Sequence, residues 1–218
     1  MDWKFIKKIL LVFLFGIAFA YIEAAVVAYL RTIYYPTGFH FPLVMHYDRN
    51  LTIEFFREFA TLVILFSSSA LLSRKFWEGF GYFVIIFGVW DIFYYVWLFL
   101  FINWPKSLFE WDILFLIPLP WWGPVITPVL ISLLLIAVAY LLIIEVKFKI
   151  TSFDWIIFCL SIIIILYTFM EDSIKIILSG GSNLNEARPT DFNWILFLIA
   201  YISMIITSII VFYTRRNN

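Results

Sequence analysis

A disulfide framework is excluded at the outset, because Cys159 is the only cysteine in 218 residues. The two histidines, His40 and His46, both lie outside the long apolar runs, which disfavours a haem held between helices by paired histidines. Neither sign of charge is in excess, with Lys+Arg and Asp+Glu at 15 each. No basic surplus exists to bind nucleic acid by counterion release. Phosphate loops, dinucleotide fingerprints, paired-cysteine metal patterns and the zinc-protease helix are missing as well. There is no internal repeat. Ionisable residues inside apolar runs fall almost wholly in the first three runs, which counts against an inverted-repeat transporter.

What is present is apolar surface. The chain is 64% hydrophobic and 22% aromatic, with 26 Phe, whereas a soluble domain is roughly 45–50% apolar. Lipid is the natural cover for the excess, and the Phe- and Ile-rich faces read as lipid-facing. An aromatic pocket for an apolar ligand is the alternative use of the rings. A span needs about 20 apolar residues, and six runs qualify: 9–30, 53–72, 80–102, 124–145, 153–170 and 194–213. The expected fold is an all-α, polytopic helical membrane protein forming a single transmembrane domain over 1–218. The first run follows Lys4, Lys7 and Lys8 in the outline of a signal peptide, but it continues to Leu30, longer than such a segment, and reads as a retained span.

Lys and Arg near the span ends set the expected orientation. Lys4, Lys7, Lys8, Arg74, Lys75, Lys147, Lys149, Arg215 and Arg216 collect on one side in tight clusters, the cytoplasmic pattern. Arg31, Arg49, Arg57, Lys106, Lys175 and Arg188 collect on the other. The chain is therefore expected in the cell membrane, multi-pass, with both termini cytoplasmic. Residues 104–123 resist the plan. Ser107-Leu108-Phe109-Glu110 fits a capping box, and residues 111–117 stop at Pro118 and Pro120. The expectation is a short outer interfacial or re-entrant helix, with Trp104, Trp111, Trp121 and Trp122 in an interfacial belt. Thr190, Asp191 and Asn193 are candidate caps for the last span.

Ionised groups at span depth cost roughly 2.5–3.5 kcal/mol each on insertion scales, so they face protein or water. Glu23 lies in the outer half of the first span, with Gly16 and Ala20 on its face and Ala24 and Ala28 beside it, which predicts burial between helices. Glu54, Arg57 and Glu58 open the second span at spacings that share one face, continued by Thr61 and Ser68. Arg57 can grip a carboxylate bidentately. Asp91 lies near the middle of the third span, with Tyr94 and Tyr95 on a neighbouring face and able to offer hydroxyls. A carboxyl so placed can carry or donate a proton. These residues define the candidate site, an outward-facing polar site between the first three spans. Asp91, Glu23 and Glu58 are its catalytic candidates, and Arg57, Tyr94, Tyr95 and Glu54 its substrate-binding candidates. Interhelical polar contacts that only hold the spans together are the competing reading.

Weaker signals add little. His40, His46 and Asp48 share the first outer loop without a recognised metal spacing, so no metal or other cofactor is expected. Asn50-Leu51-Thr52 fits a glycosylation acceptor by a common three-residue pattern. Ser67-Ser68-Ser69 has no histidine in its span and reads as hydroxyls bonded to their own helix. Glu171-Asp172 closes the fifth span.

Three function classes follow. The first is a membrane-embedded enzyme or binding protein for a lipidic or small apolar ligand. The second is a small transporter or proton or cation pathway, and the third a structural or assembly subunit with partner membrane subunits.

Overall fold

Where water is absent, backbone amides must pair within their own segment, so a long apolar run becomes a helix. The computed structural model describes residues 3–36, 38–40, 49–144, 149–179 and 191–214. It contains α1 (Trp3–Tyr34), α2 (Arg49–Leu72), α3 (Phe76–Ile102), α4 (Ile126–Ile143), α5 (Ser152–Leu178) and α6 (Trp194–Ile209). Two short strands, β1 (Trp111–Phe115) and β2 (Trp121–Pro124), lie between α3 and α4, and a π-helical turn (Ile210–Thr214) follows α6. Six helical segments are long and apolar enough to cross a membrane. The chain is an all-α polytopic membrane protein. Its large exposed side chains include Phe15, Phe56, Phe66, Ile163 and Ile202, the apolar surface that a bilayer covers.

Three expectations change. Residues 111–117 are not a helix: β1 and β2 pair with each other, and the short link between them makes the pair an antiparallel hairpin. Prolines 118 and 120 leave a helix there too few residues to pair its own amides, whereas a hairpin pairs them across the strands. The Ser107/Glu110 pattern closes a turn instead. Phe109 N–H donates to Ser107 Oγ, Lys106 N–H to Glu110 Oε1, and Glu110 N–H to the Ser107 carbonyl. Pro124 accordingly ends β2, and α4 begins at Ile126. The fifth span does not end before Glu171-Asp172. α5 runs on to Leu178, because Lys175 pairs with Glu171 at 2.8 Å and Asp172 at 3.8 Å along the helix. Trp122 is 1% exposed and belongs to the core, not to an interfacial belt. As expected, the Asn193 side chain caps α6 by accepting from Leu196 N–H. Glu145, the expected end of the fourth span, and Thr190 lie outside the described residues.

The chain forms two compact units, the first of Met1–His40, Phe59–Glu110 and Pro124–Ile143, the second of Phe41–Glu58, Trp111–Gly123 and Ile144–Asn218. In the first, α3 packs against both α1 and α4. Small residues allow the close approach. A Cβ on Gly16 would lie 3.0 Å from Val89 Cγ1, one on Gly81 2.7 Å from Ile143 Cγ1, and one on Gly88 2.8 Å from Ile136 Cγ1. α1 and α3 run parallel. Contacts between Lys8 and Glu78 and between Gly16 and Val89, with Ala24 and Leu98 in one buried cluster, separate level residues by 70, 73 and 74 positions. In the second unit α5 packs on α6, and the hairpin lies against them through aromatic rings. Trp121 stacks on Phe169 at 6.3 Å, and Trp111 meets Phe192 edge-on at 6.1 Å.

The α3–α4 contact can be tested directly. Gly88→Ala sets its new methyl 2.9 Å from the Ser132 carbonyl oxygen, which a rotamer change cannot relieve. Overpacking of this kind costs about 1–3 kcal/mol. A thermal unfolding scan should show a melting point several degrees lower for Gly88→Ala. Gly79→Ala, whose nearest neighbours lie 3.9 Å away, should leave it unchanged.

Candidate functional site

In the first unit the helix register sets the level of each polar group. Carried from Glu23, the α1–α3 separation falls on residues 93–97 of α3, the turn that holds Tyr94 and Tyr95. Asp91 is about one turn deeper. Glu23 is 5% exposed, as its small-residue neighbours predict, and the Thr61 hydroxyl of α2 donates to its carboxylate. Asp91 Oδ2 accepts a hydrogen bond from the Ser132 hydroxyl of α4 at 2.8 Å. The two carboxylates thus occupy different helix interfaces, α1–α2 for Glu23 and α3–α4 for Asp91.

At the end of α1 lies a group that sequence reasoning treated only as a topology signal. Arg31 is 8% exposed, and its guanidinium carbon sits 3.7 Å from the Trp104 ring centroid and 4.3 Å from that of Phe39. A guanidinium is weakly hydrated and planar, so aromatic faces replace its water at low cost. Trp104 also lies 6.3 Å from Tyr95, which meets Tyr94 at 5.0 Å. Tyr94 packs in turn with Val27 around the buried Ala24, Ala28 and Leu98. Glu23, Val27 and Arg31 recur every fourth residue, so they share one face of α1. The signal available in the sequence was that spacing, together with Trp104 just past the third span.

No protein-family model, curated protein or solved structure matches the chain.

The other candidates belong to the second unit. Arg57 Nε donates to Glu54 Oε2 at 2.8 Å, and its Nη2 pairs with Glu54 Oε1, the bidentate grip expected of it. Glu58 accepts the Leu116 N–H at 2.9 Å. At the other end of the same hairpin link, the Ser173 hydroxyl of α5 donates to the Pro120 carbonyl at 2.6 Å. Glu58 is six residues inside the span that begins at Thr52, and Ser173 five residues before the span end at Leu178. At 1.5 Å per residue these are about 8–9 Å from the helix ends. The hairpin link therefore has a side-chain partner from a helix at each end, which non-helical backbone needs wherever water is excluded. Ser173 was not a candidate because nothing in its own segment distinguishes it from other helix serines. Its role comes from the hairpin.

Among the described residues no three His, Cys, Asp or Glu side chains come together as metal ligands. His40 is exposed, and Tyr35 meets its ring edge-on at 5.4 Å. His46 and Asp48 lie outside the described residues, and so do the side chains of Asn50 and Leu51. Ser67 and Ser69 donate to the Val63 and Phe66 carbonyls of their own helix, as read from the sequence.

Removing the Glu58 acceptor should strand a buried amide, at a cost of about 1–3 kcal/mol. Glu58→Ala is expected to lower the melting point and to speed hydrogen exchange across residues 111–124, while Glu58→Gln, which keeps a carbonyl acceptor, should change both far less.

Proposed function

We propose that the chain is a membrane-embedded binding protein or enzyme for a lipidic molecule, with its working groups in the outer half of the first unit. The observation that supports this reading most is a buried carboxylate and a buried guanidinium on one face of α1. Glu23 and Arg31 lie about 12 Å apart along that face, with Tyr94 and Tyr95 of α3 at the level of Glu23. An amphipathic ligand whose anionic end meets Arg31 and whose hydroxyl or amine meets Glu23 would match that spacing. In an enzyme, Glu23 and Asp91 would be the acid–base groups, with Tyr94 and Tyr95 as hydrogen-bond donors. Glu58 we assign to support of the hairpin, and Glu54 and Arg57 to an ion pair at the start of α2. The orientation that goes with this reading puts both termini in the cytoplasm.

An ion or proton pathway is less well supported. Between Tyr82 and Asp91, α3 carries Phe83-Val-Ile-Ile-Phe-Gly-Val-Trp90, about 13 Å of helix without a charged or hydroxyl side chain. On α1 the stretch from Ile9 to Ala20 is equally apolar. At those levels α2 offers only Ser67, Ser68 and Ser69, and Ser67 and Ser69 already donate to carbonyls of their own helix, which is thin support for a conduction path.

Purification of the full chain from its native membrane, followed by mass analysis of co-purifying small molecules, tests the proposal. The wild-type protein should retain an amphipathic species, and Glu23→Gln or Arg31→Ala should each reduce its occupancy at least fivefold, a loss of about 1 kcal/mol. Asp91→Asn in an enzyme should leave occupancy but abolish turnover of that species. Proton or cation flux in proteoliposomes that Asp91→Asn stops would favour the pathway instead. Unchanged cargo in both binding variants, with lowered melting points alone, would mean that these groups only join helices.

A further inference from the structure

At the opposite end of the first unit, where α1 begins, the polar groups are arranged differently. Lys8 Nζ donates to Glu78 Oε1 at 3.0 Å, and Tyr82 donates to the same oxygen at 3.0 Å. Ser73 donates to Glu78 Oε2 at 2.6 Å, and the Lys8 ammonium sits 4.3 Å from the centroid of the Tyr82 ring. This knot ties the start of α1 to the turn between α2 and α3. It brings the remaining cations of both segments to one place. Lys4 lies one helical turn before Lys8, Lys7 is its neighbour, and Arg74 and Lys75 follow Ser73 directly. The two segments together hold five cations, Lys4, Lys7, Lys8, Arg74 and Lys75, of which Lys8 pairs with Glu78. Lys4, Lys7, Arg74 and Lys75 are all exposed.

Their surroundings are not those of an ordinary solvated face. Phe76 is 74% and Trp77 45% exposed, immediately after Lys75, and Trp3 and Leu71 are exposed at the same end. Exposed Trp and Phe at a span end lie at the level of the lipid headgroups, with acyl chains beside them. The cations next to them are thus held at the depth of the phosphates.

We propose that the start of α1 and the α2–α3 turn form a binding site for the phosphodiester headgroup of an anionic phospholipid, with Lys4, Lys7, Arg74 and Lys75 around the phosphate and Leu71, Phe76 and Trp77 against its chains. Glu78 is a positioning residue, because it holds Lys8 and so draws the two basic segments together. The site is separate from the one proposed for Glu23 and Arg31, and neither depends on the other.

The test uses the full chain in nanodiscs made from equal parts phosphatidylglycerol and phosphatidylcholine, with retained lipids identified by native mass spectrometry. Wild-type protein should retain phosphatidylglycerol in preference to phosphatidylcholine by about tenfold or more, since each cation at a lipid surface contributes about a fivefold gain. Lys7→Gln/Arg74→Gln/Lys75→Gln should bring that preference close to parity. Lys7→Arg/Lys75→Arg should keep it, which separates loss of charge from loss of fold. Equal retention of the two lipids by the wild type would overturn the proposal, and so would an unchanged preference in the neutralised variant. Displacement of the lipid by millimolar inorganic phosphate would also overturn it, because the cluster would then be an anion site with no use for the chains.

Discussion

A polar group carried into hydrocarbon loses water as a partner, and leaving it unpaired costs several kcal/mol. That constraint accounts for more of this chain than any single contact. Thr61 answers Glu23, Ser132 answers Asp91, and Ser67 and Ser69 of α2 turn back on their own helix. The hairpin is the severest case, since its link has no strand partner. Glu58 meets the amide at one end of that link and Ser173 the carbonyl at the other. The exceptions are instructive. The indole N–H groups of Trp90, Trp121 and Trp122 are buried without a hydrogen-bond partner among the described residues. A neutral indole loses far less on desolvation than a carboxylate, and its ring gains apolar and stacking contacts that offset the loss.

The six spans were legible because the physics of spanning is one-dimensional: enough apolar residues in a row can do little else. Boundaries were less so, and α5 shows why. Glu171 and Asp172 look like an end when charges are counted singly, but Lys175 neutralises them through the helix itself, so the helix continues. The hairpin was hidden by a different ambiguity. Ser-x-x-Glu can close a helix start or a tight turn with side-chain-to-backbone hydrogen bonds shifted by one residue, and only the partner strand ten residues on decides between them. Of the candidate site, burial of Glu23 could be read from Gly16, Ala20, Ala24 and Ala28. The Ser132 partner of Asp91 could not, because it depends on which helix packs against α3 and at what register.

That register gives the polar groups of the first unit an order in depth. On α3 the tyrosines stand at the level of Glu23, Asp91 with Ser132 a turn below, and then only apolar side chains and Gly88 until Tyr82 and Glu78, while α2 carries Ser67, Ser68 and Ser69 about 9–12 Å beyond Thr61. The close approach of α3 and α4 at Gly81 and Gly88 falls inside this apolar stretch. Close packing there leaves little room for a column of water, and without one an isolated carboxylate cannot pass a proton onward.

The two ends of α1 differ in which cation each uses, and the choice has a physical basis. An ammonium is compact and strongly hydrated, so Lys8 keeps a carboxylate partner and remains partly exposed. A guanidinium spreads its charge over a plane that ring faces can cover, so Arg31 is buried between Phe39 and Trp104. Exchanging the two would fail at both ends: a lysine between those rings would give up more hydration than they return, and an arginine at position 8 would forgo the single-point contact that Glu78 shares among Lys8, Ser73 and Tyr82. The lysine end must therefore stay at the wet boundary of the membrane. The arginine end can bury its planar charge against the faces of Phe39 and Trp104, which an ammonium could not do at the same cost.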